Sequence, residues 1–331
     1  MSRSTRHDGD VRAPDDDPQA ASRVTTAPVP APLVLRRRRT PKVPYLLLIP
    51  SIAILALALG YPLFWQVVTS TKQFGLKQQF GFPAKFVGLD NYAKLVTDPY
   101  LWEVIVRSIV FCVVCAAATM VLGVGVALLM KNVHKPVRLF LQITMLLAWA
   151  MPVVASMTVW RWLFDYRRGA VNYVLTQMGF DFVGHSWLEN PLSFFFVAAV
   201  IVVWGAVPFV AFSVFAGLTQ VPDEVLEAAA IDGANGWQRF WGITLPIVRP
   251  VLAIVLLLQL VWDLRVFAQI KLLQDAGGTP SETNLLGTYI YQLGIGSGDF
   301  GLSSAVSIFV LVLTIALSWG YVRTLLREDE S

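Results

Sequence analysis

The chain has 331 residues, of which 56% are hydrophobic and only 15% are charged, with a formal net charge of +4 and a mean hydropathy of +0.60. A soluble domain carries about 25% charged residues, so this composition excludes an ordinary soluble protein. The short alternating segments of a membrane β-barrel are not seen in the sequence. The composition therefore predicts an all-α membrane protein.

The N-terminal segment, residues 1–42, precedes the first apolar stretch. Up to residue 35 it is rich in Pro, Ala, Asp and Ser and shows no apolar period, and a basic cluster follows at Arg36–Arg39. Segments that cannot bury apolar surface remain disordered. We therefore predict a disordered cytoplasmic tail over 1–42. The basic cluster is interpreted as a topology anchor, with specific binding of anionic lipid as the alternative.

Six apolar stretches follow, each long enough to cross a bilayer core, which needs about 20 residues. They predict a transmembrane domain over 43–325 and a cytoplasmic tail over 326–331. Pro152 removes a backbone hydrogen bond inside the third stretch and predicts a kink there. The stretches are Val43–Ser70, Ile105–Met130, Leu139–Phe164, Leu192–Leu218, Val251–Leu273 and Ser303–Leu325.

The distribution of Lys and Arg predicts the orientation, because these residues concentrate on the cytoplasmic side. With the N-terminus inside, the inner segments carry more of them than the outer loops, which predicts that both termini are cytoplasmic. The basic residues also flank membrane segments, so the positive charge does not indicate nucleic-acid binding. Inner examples are Lys42, Lys131, Lys135, Arg138, Arg239, Arg249, Arg323 and Arg327; outer examples are Lys72, Lys77, Lys85, Lys94, Arg167 and Arg168.

Two cysteines, Cys112 and Cys115, lie in the second apolar stretch with a C-x-x-C spacing. Metal or redox chemistry would require a second pair or a nearby histidine, and His7, His134 and His185 lie in a tail and in two loops. We interpret the cysteines as small apolar packing residues. No metal site and no cofactor are predicted.

The loop 219–250, between the fourth and fifth stretches, carries strong local signals. Pro222 and the acidic residues after it favour a helix start, Gly233 favours a helix end, and Asn235 is a suitable cap for a second short helix. Leu226, Ala229, Ala230 and Gly233 would share one apolar, nearly flat face. Such a face predicts a docking element for a partner protein.

This loop resembles the EAA motif of permease subunits of ABC importers. The residues that carry the resemblance are Glu227-Ala228-Ala229, Asp232-Gly233-Ala234, Phe240, Ile243, Leu245-Pro246 and Pro250. The resemblance implies a type I ABC-importer fold with six transmembrane helices in the bacterial plasma membrane. It also implies that the loop couples the subunit to an ATPase through Glu227, Ala228, Ala229, Asp232, Gly233, Leu245 and Pro246.

Other segments are similar to carbohydrate permeases of the maltose and glycerol-3-phosphate type, and specifically to the first of their two membrane subunits. These are Tyr61-Pro62, Phe86–Tyr92, Trp160–Asp165 and Trp204 with Pro208-Phe209. Two segments depart from the pattern. Arg107-Ser108 replaces the usual Asn-Thr, and Gly277-Gly278-Thr279-Pro280 replaces the usual Gly-Gly-Pro.

The resemblance implies a set of partners: a second permease subunit, an ATP-binding cassette ATPase, an extracellular solute-binding protein, membrane lipid and a sugar. The chain contains no G-x-x-x-x-G-K-[ST] motif, so we expect no ATP hydrolysis by this subunit itself. The sugar is expected to be a mono- or disaccharide of the maltose-like or the N-acetylglucosamine or chitobiose type. The alternatives are a permease for another small solute and a secondary transporter.

Polar residues in the fifth stretch are candidates for the substrate path, because ionisable groups at bilayer depth are costly and often functional. Gln259, Asp263 and Phe267 recur every four residues and would share a helix face with Trp262 beside them. Arg265 would lie on the opposite side. The alternative is that these polar residues bridge neighbouring helices.

Overall fold

The computed structural model describes residues 43–328. The predicted tail over 1–42, with its basic cluster, and residues 329–331 lie outside the described range. From Leu55 onward the chain belongs to one compact unit, and residues 43–54 belong to another.

The described chain is mainly helical, with one small two-stranded antiparallel sheet in which Lys72 pairs with Phe86. Three π-helical turns occur, at Ala56–Gly60, Phe240–Thr244 and Gln292–Gly296. The strands are β1 (Lys72–Gln73) and β2 (Lys85–Phe86). The helices are α1 (Val43–Leu55), α2 (Tyr61–Ser70), α3 (Leu76–Gln79), α4 (Asp90–Thr97), α5 (Pro99–Asn132), α6 (Lys135–Ala150), α7 (Val153–Leu163), α8 (Ala170–Gln177), α9 (Pro191–Leu218), α10 (Asp223–Ile231), α11 (Gly236–Arg239), α12 (Leu245–Leu264), α13 (Ala268–Gln274), α14 (Pro280–Thr283), α15 (Leu286–Tyr291) and α16 (Phe300–Glu328).

Five segments of the described chain are long and apolar enough to span a membrane, and a sixth is obtained if the bent pair α6 and α7 is one span. The six predicted stretches match these segments. The five are Leu46–Ser70, Pro99–Asn132, Pro191–Leu218, Gly236–Gln274 and Phe300–Trp319.

The break at Pro152 is much sharper than the predicted kink, because α6 and α7 meet at 100°. Pro152 cannot donate a backbone hydrogen bond, and a proline also disfavours the helical conformation in the residue before it. Met151 accordingly has extended backbone angles, with φ −68° and ψ 125°. The third stretch is therefore two helices rather than one.

The second span begins six residues earlier than predicted, at Pro99 rather than Ile105. Asp98 caps this helix, since its Oδ1 accepts a hydrogen bond from the Tyr100 N–H at 3.0 Å. The added turns contain polar residues such as Glu103, and a window based on hydropathy alone omits them.

Close packing of α5 on α9 forms the centre of the bundle. A Cβ added at Gly123 would lie 2.5 Å from Val210 Cγ1, so the two helices approach closely because residue 123 has no side chain. Cys115 is buried in a cluster between α5 and α9, whereas Cys112 is buried in a second cluster with α12 and α16, where its thiol donates to the Leu260 carbonyl at 3.4 Å. Their predicted packing role is confirmed. Within residues 43–328, no cluster of three or more potential metal ligands was found.

The segment Phe86–Tyr92 holds together the ends of two spans. Asn91 Nδ2 donates to the carbonyls of Ser70 at 2.8 Å and Lys72 at 3.0 Å, and the hydroxyls of Tyr92 and Ser70 are 2.7 Å apart. A Cβ at Gly301, near the start of α16, would lie 2.4 Å from the Lys72 carbonyl oxygen. This part of the family-like sequence thus has a structural role between α2 and α16.

Candidate functional site

The fifth span is interrupted at Arg265–Phe267, between α12 and α13. The sequence analysis expected one helix to Leu273, and this expectation is wrong at the break. The segment after α14 packs against it, since a Cβ at Gly287 would lie 3.0 Å from the Val266 carbonyl oxygen. Non-helical backbone at membrane depth is tolerated where it lines a cavity or is buried in protein.

A cavity of about 640 Å³ lies beside this break, within the range of about 300–1,000 Å³ that is typical of small-molecule sites. Its walls come from α6, α7, α9, the end of α12 and the start of α13. All four predicted path residues line it. The full set is Ala148, Trp149, Met151, Val153, Ser156, Ile201, Val202, Trp204, Gly205, Ala206, Gln259, Trp262, Asp263, Arg265, Val266, Phe267, Ala268 and Gln269.

Gln259 and Asp263 form a buried polar pair on α12. Gln259 Nε2 donates to Asp263 Oδ1 at 2.9 Å, and the two residues are 0% and 4% exposed. Gln259 Oε1 and Asp263 Oδ2 have no hydrogen-bond partner among the described residues. A buried acceptor without a partner costs about 1–3 kcal/mol. Both residues line the cavity, so its wall contains two acceptor atoms without a partner among the described residues.

Trp149 and Trp262 line the cavity, and Phe209, which is outside its lining, contacts both rings. Phe209 lies 4.9 Å from Trp262 and 6.5 Å from Trp149, measured between ring centroids, and the second pair is stacked. The sequence analysis missed Trp149 as a site residue and noted Phe209 only as part of a family-like segment. The positions of Trp149 at the cavity and of Phe209 beside it depend on how α6 and α9 pack against α12. Local periodicity in the sequence does not report this packing.

The positions of Phe267 and Arg265 require correction. Phe267 has φ −133° and ψ −60°, outside the helical region, so it does not continue the α12 face of Gln259 and Asp263, although it lines the same cavity. Arg265, expected on the opposite side, also lines this cavity. The break reorients the backbone after Leu264, and the four-residue spacing no longer determines which side chains are neighbours.

The combination of unpaired acceptors and aromatic faces determines what the cavity can bind. A sugar presents hydroxyl donors around its ring and apolar C–H faces, and these complement carboxyl or amide oxygens and aromatic surfaces respectively. A sugar is therefore one class of molecule whose chemistry fits this cavity.

The loop 219–250 forms a helix–turn–helix, with the local structure that the sequence predicted. Helix α10 begins at Asp223, directly after Pro222. Gly233 has φ +88°, and the Ala234 N–H donates to the Ala229 carbonyl at 2.9 Å, which ends the helix in a Schellman turn. Asn235 and Gln238 then form reciprocal side-chain to backbone bonds of 2.9 Å that start α11.

The exposed face of this loop differs from the predicted one. Leu226 and Ala229 are half-buried, and Leu226 packs against the cluster that contains Val221 and Val248. Glu227 and Ile231 are exposed instead. The predicted apolar face is therefore partly an anchor for the loop, and the surface open to a partner includes an acidic side chain. Of the residues predicted to couple the subunit to an ATPase, Glu227, Ala228, Asp232, Gly233 and Pro246 are exposed, and Ala229 and Leu245 are half-buried.

The first departure from the family pattern, Arg107-Ser108, has a structural explanation, and the structure explains Gly278 but not Thr279 in the second. Ser108 Oγ accepts a hydrogen bond from the Leu286 N–H at 2.9 Å, and Arg107 Nη1 donates to the Asn284 carbonyl at 3.2 Å, so this dipeptide fixes α5 to the start of α15. At Gly278 an added Cβ would lie 2.4 Å from the ring of buried Phe194. This position therefore has no space for a side chain.

The described chain is a membrane-spanning helical bundle, and a polar and aromatic cavity lies beside its broken span. These features are typical of a subunit of a membrane transporter. Residues 119–324 match the family described as the binding-protein-dependent transport system inner membrane component. The chain belongs to this family and is a multi-pass membrane protein.

Three relatives align over most of their length. The diacetylchitobiose uptake system permease protein of Streptomyces coelicolor is 38% identical over 288 residues, covering 87% of this chain and 88% of the relative. The sulfoquinovosyl glycerol transport system permease protein of Agrobacterium fabrum is 31% identical over 284 residues, covering 86% and 90%. The trehalose/maltose transport system permease protein of Thermococcus litoralis is 32% identical over 289 residues, covering 86% and 94%.

A solved structure supports the same fold. The chain is similar to a bacterial ABC transporter involved in the import of the acidic polysaccharide alginate, with a TM-score of 0.74 and 23% identity. The alignment covers 86% of this chain and 95% of that one. The fold is thus that of an ABC-importer permease.

Proposed function

We propose that the chain is the first of two membrane-spanning subunits of an ATP-driven importer that carries a mono- or disaccharide across the bacterial plasma membrane. The observation that carries the proposal is the cavity at the α12 break, where Gln259 and Asp263, each with one unpaired oxygen, line the same wall as the aromatic side chains of Trp149 and Trp262. The three curated relatives, whose names specify carbohydrates or a sugar glycoside, support the same substrate class.

Energy comes from a separate ATPase that docks on the loop 219–250. Glu227 and Asp232 are exposed on its surface, so a basic groove on the ATPase is complementary to them. The Schellman turn at Gly233 fixes the angle between α10 and α11, and Arg239 Nη1 donates to the Leu226 carbonyl at 3.5 Å across that angle. A loop fixed in this way moves as one body with the start of α12.

In the proposed orientation both termini and this loop are cytoplasmic, and the positions of Lys and Arg support it. The segments 71–98 and 164–190 are then outside, where a solute-binding protein delivers the sugar. The second permease subunit completes the translocation path.

The proposal is tested with the complete transporter. The chain, its partner permease, the ATPase and the solute-binding protein are expressed from the neighbouring genes and reconstituted in proteoliposomes. Calorimetry on the solute-binding protein identifies its ligand, with chitobiose, maltose, trehalose and their monosaccharides as candidates. We expect ATP-dependent uptake of the sugar that this protein binds. Uptake of an amino acid or phosphate, with no sugar transported, would show that the substrate class is wrong.

A further inference from the structure

The segment between the first two spans has an unusual composition and is part of neither the cavity nor the loop 219–250. Residues 71–89 contain Lys72, Lys77 and Lys85 and no Asp or Glu, and four of the nineteen residues are phenylalanine. Cationic segments rich in aromatic residues are typical of surfaces that lie in the headgroup region of a membrane. The segment lies between two spans: α2 ends at Ser70 before it, and α5 begins at Pro99 after it.

The structure presents the apolar side chains of this segment outward. We call them the hairpin patch: Leu76, Phe80, Phe82, Phe86 and Leu89, which are 55%, 82%, 63%, 70% and 72% exposed. Lys77 and Lys85 are exposed in the same hairpin. Five large apolar groups that are at least half exposed within fourteen residues form a patch that a protein surface in water rarely carries.

The hairpin that carries the patch is held in place at its base. Strand β1 pairs with β2, and Gly75 forms a β-bridge with Asp299 just before α16. A Cβ at Gly298 would lie 2.7 Å from Leu76 Cγ, so the hairpin contacts this turn closely. Gly81 with φ +97° forms the turn between Phe80 and Phe82. The patch is thus presented by ordered backbone that is fixed to the ends of two spans.

We propose that the hairpin patch inserts into the headgroup region of the membrane leaflet next to it, with Lys77 and Lys85 bound to the phosphates of anionic phospholipids. The apolar surface of the adjoining spans faces the same bilayer, so the patch continues an apolar surface that already contacts lipid. Charge complementarity favours anionic lipid, because each lysine near such a surface strengthens binding by about fivefold. The assignment to the outer leaflet rests on the orientation given above.

The test uses the assembled transporter in nanodiscs of phosphatidylcholine alone or of phosphatidylcholine and phosphatidylglycerol in equal parts. A fluorophore is attached at Gln79→Cys, next to the patch, while the parent chain with its buried Cys112 and Cys115 gives the background. Quenching by a nitroxide high on the lipid acyl chain is compared with quenching by iodide in the water. We expect strong lipid quenching and weak iodide quenching at this position.

The matched control is Asp181→Cys, an exposed position in the other outer loop, where we expect the opposite pattern. Phe80→Ser with Phe82→Ser should make the label at position 79 accessible to iodide in both lipids. Lys77→Gln with Lys85→Gln should lower lipid quenching in the anionic nanodiscs only, to the level seen in phosphatidylcholine alone.

Two results would overturn the proposal. One is a label at position 79 that iodide quenches as strongly as the label at 181. The other is a label that becomes shielded only when the solute-binding protein is added, which would make the patch a protein docking site. The measurement requires only the inserted complex, so its outcome is independent of whether the transported solute is a sugar.

Discussion

The substitution Asp263→Asn separates a substrate-binding role from a structural one. Asp263 Oδ1 accepts from Gln259 Nε2 at 2.9 Å, and Oδ2 has no partner among the described residues. An asparagine of the same shape keeps an oxygen for Gln259 and replaces the unpaired acceptor with an N–H₂ donor. The pair within α12 is preserved, while the atom offered to the cavity changes from acceptor to donor.

The expected magnitude follows from the bond that is lost. A hydrogen bond to a charged acceptor contributes about 1.5–3 kcal/mol, and its loss weakens binding by about 10- to 150-fold. We therefore expect the KM for sugar uptake to rise by about this factor. The amount of complex that assembles should remain unchanged. Uptake of labelled sugar in proteoliposomes, at equal amounts of assembled complex, measures the effect.

The matched control is Thr119→Val. Thr119 Oγ1 is also buried without a hydrogen-bond partner among residues 43–328, but Thr119 is not part of the cavity wall. Removing its hydroxyl should leave uptake unchanged. If Asp263→Asn has parental uptake kinetics and specificity, Asp263 does not bind the sugar. If it instead reduces the amount of assembled complex, its role is to bridge helices.

Three further predictions follow from other parts of the chain. Gly233→Pro should leave the subunit inserted but prevent ATPase co-purification, because proline cannot adopt φ +88°. Glu227→Lys should have the same effect by reversing a charge at the contact. Undiminished recovery of the ATPase and undiminished transport would contradict the coupling role. The purified single chain should hydrolyse no ATP, as measured by phosphate release, since it has no phosphate-binding motif. Gly123→Ala should destabilise the complex by about 1–3 kcal/mol through overpacking against Val210, whereas Gly125→Ala, with nothing within 4 Å of its added Cβ, should not lower the Tm.

Much of the fold was predictable because its signals are local. Apolar runs of about 20 residues indicate spans, and Pro222, Gly233 and Asn235 each determine the backbone at their own position. The helix–turn–helix of the loop therefore appeared where the sequence predicted it. The sharp bend at Pro152 has a local cause too, but proline chemistry alone does not distinguish a kink from a 100° break.

The cavity was less predictable because tertiary packing creates it. Residues 265–267 contain neither glycine nor proline, so nothing local indicates that α12 ends at Leu264. The break accompanies the close approach of Gly287 to Val266. Trp149 joins the wall from α6 for the same kind of reason. The exposed face of α10 was misassigned because Leu226 finds its partners in another part of the core.

Helix α12 connects the loop 219–250 to the cavity at the α12 break. It runs without a break over 20 residues from Leu245, at the end of the loop, to Leu264, one residue beyond Asp263. At 1.5 Å per residue this is about 30 Å, the thickness of the hydrocarbon core. Because Val248 and Val255 are buried in the same cluster as Leu218, a shift of the loop moves α12 against α9. Both α12 and α9 supply cavity walls, so the docking of an ATPase that we propose at one end would alter the cavity at the other.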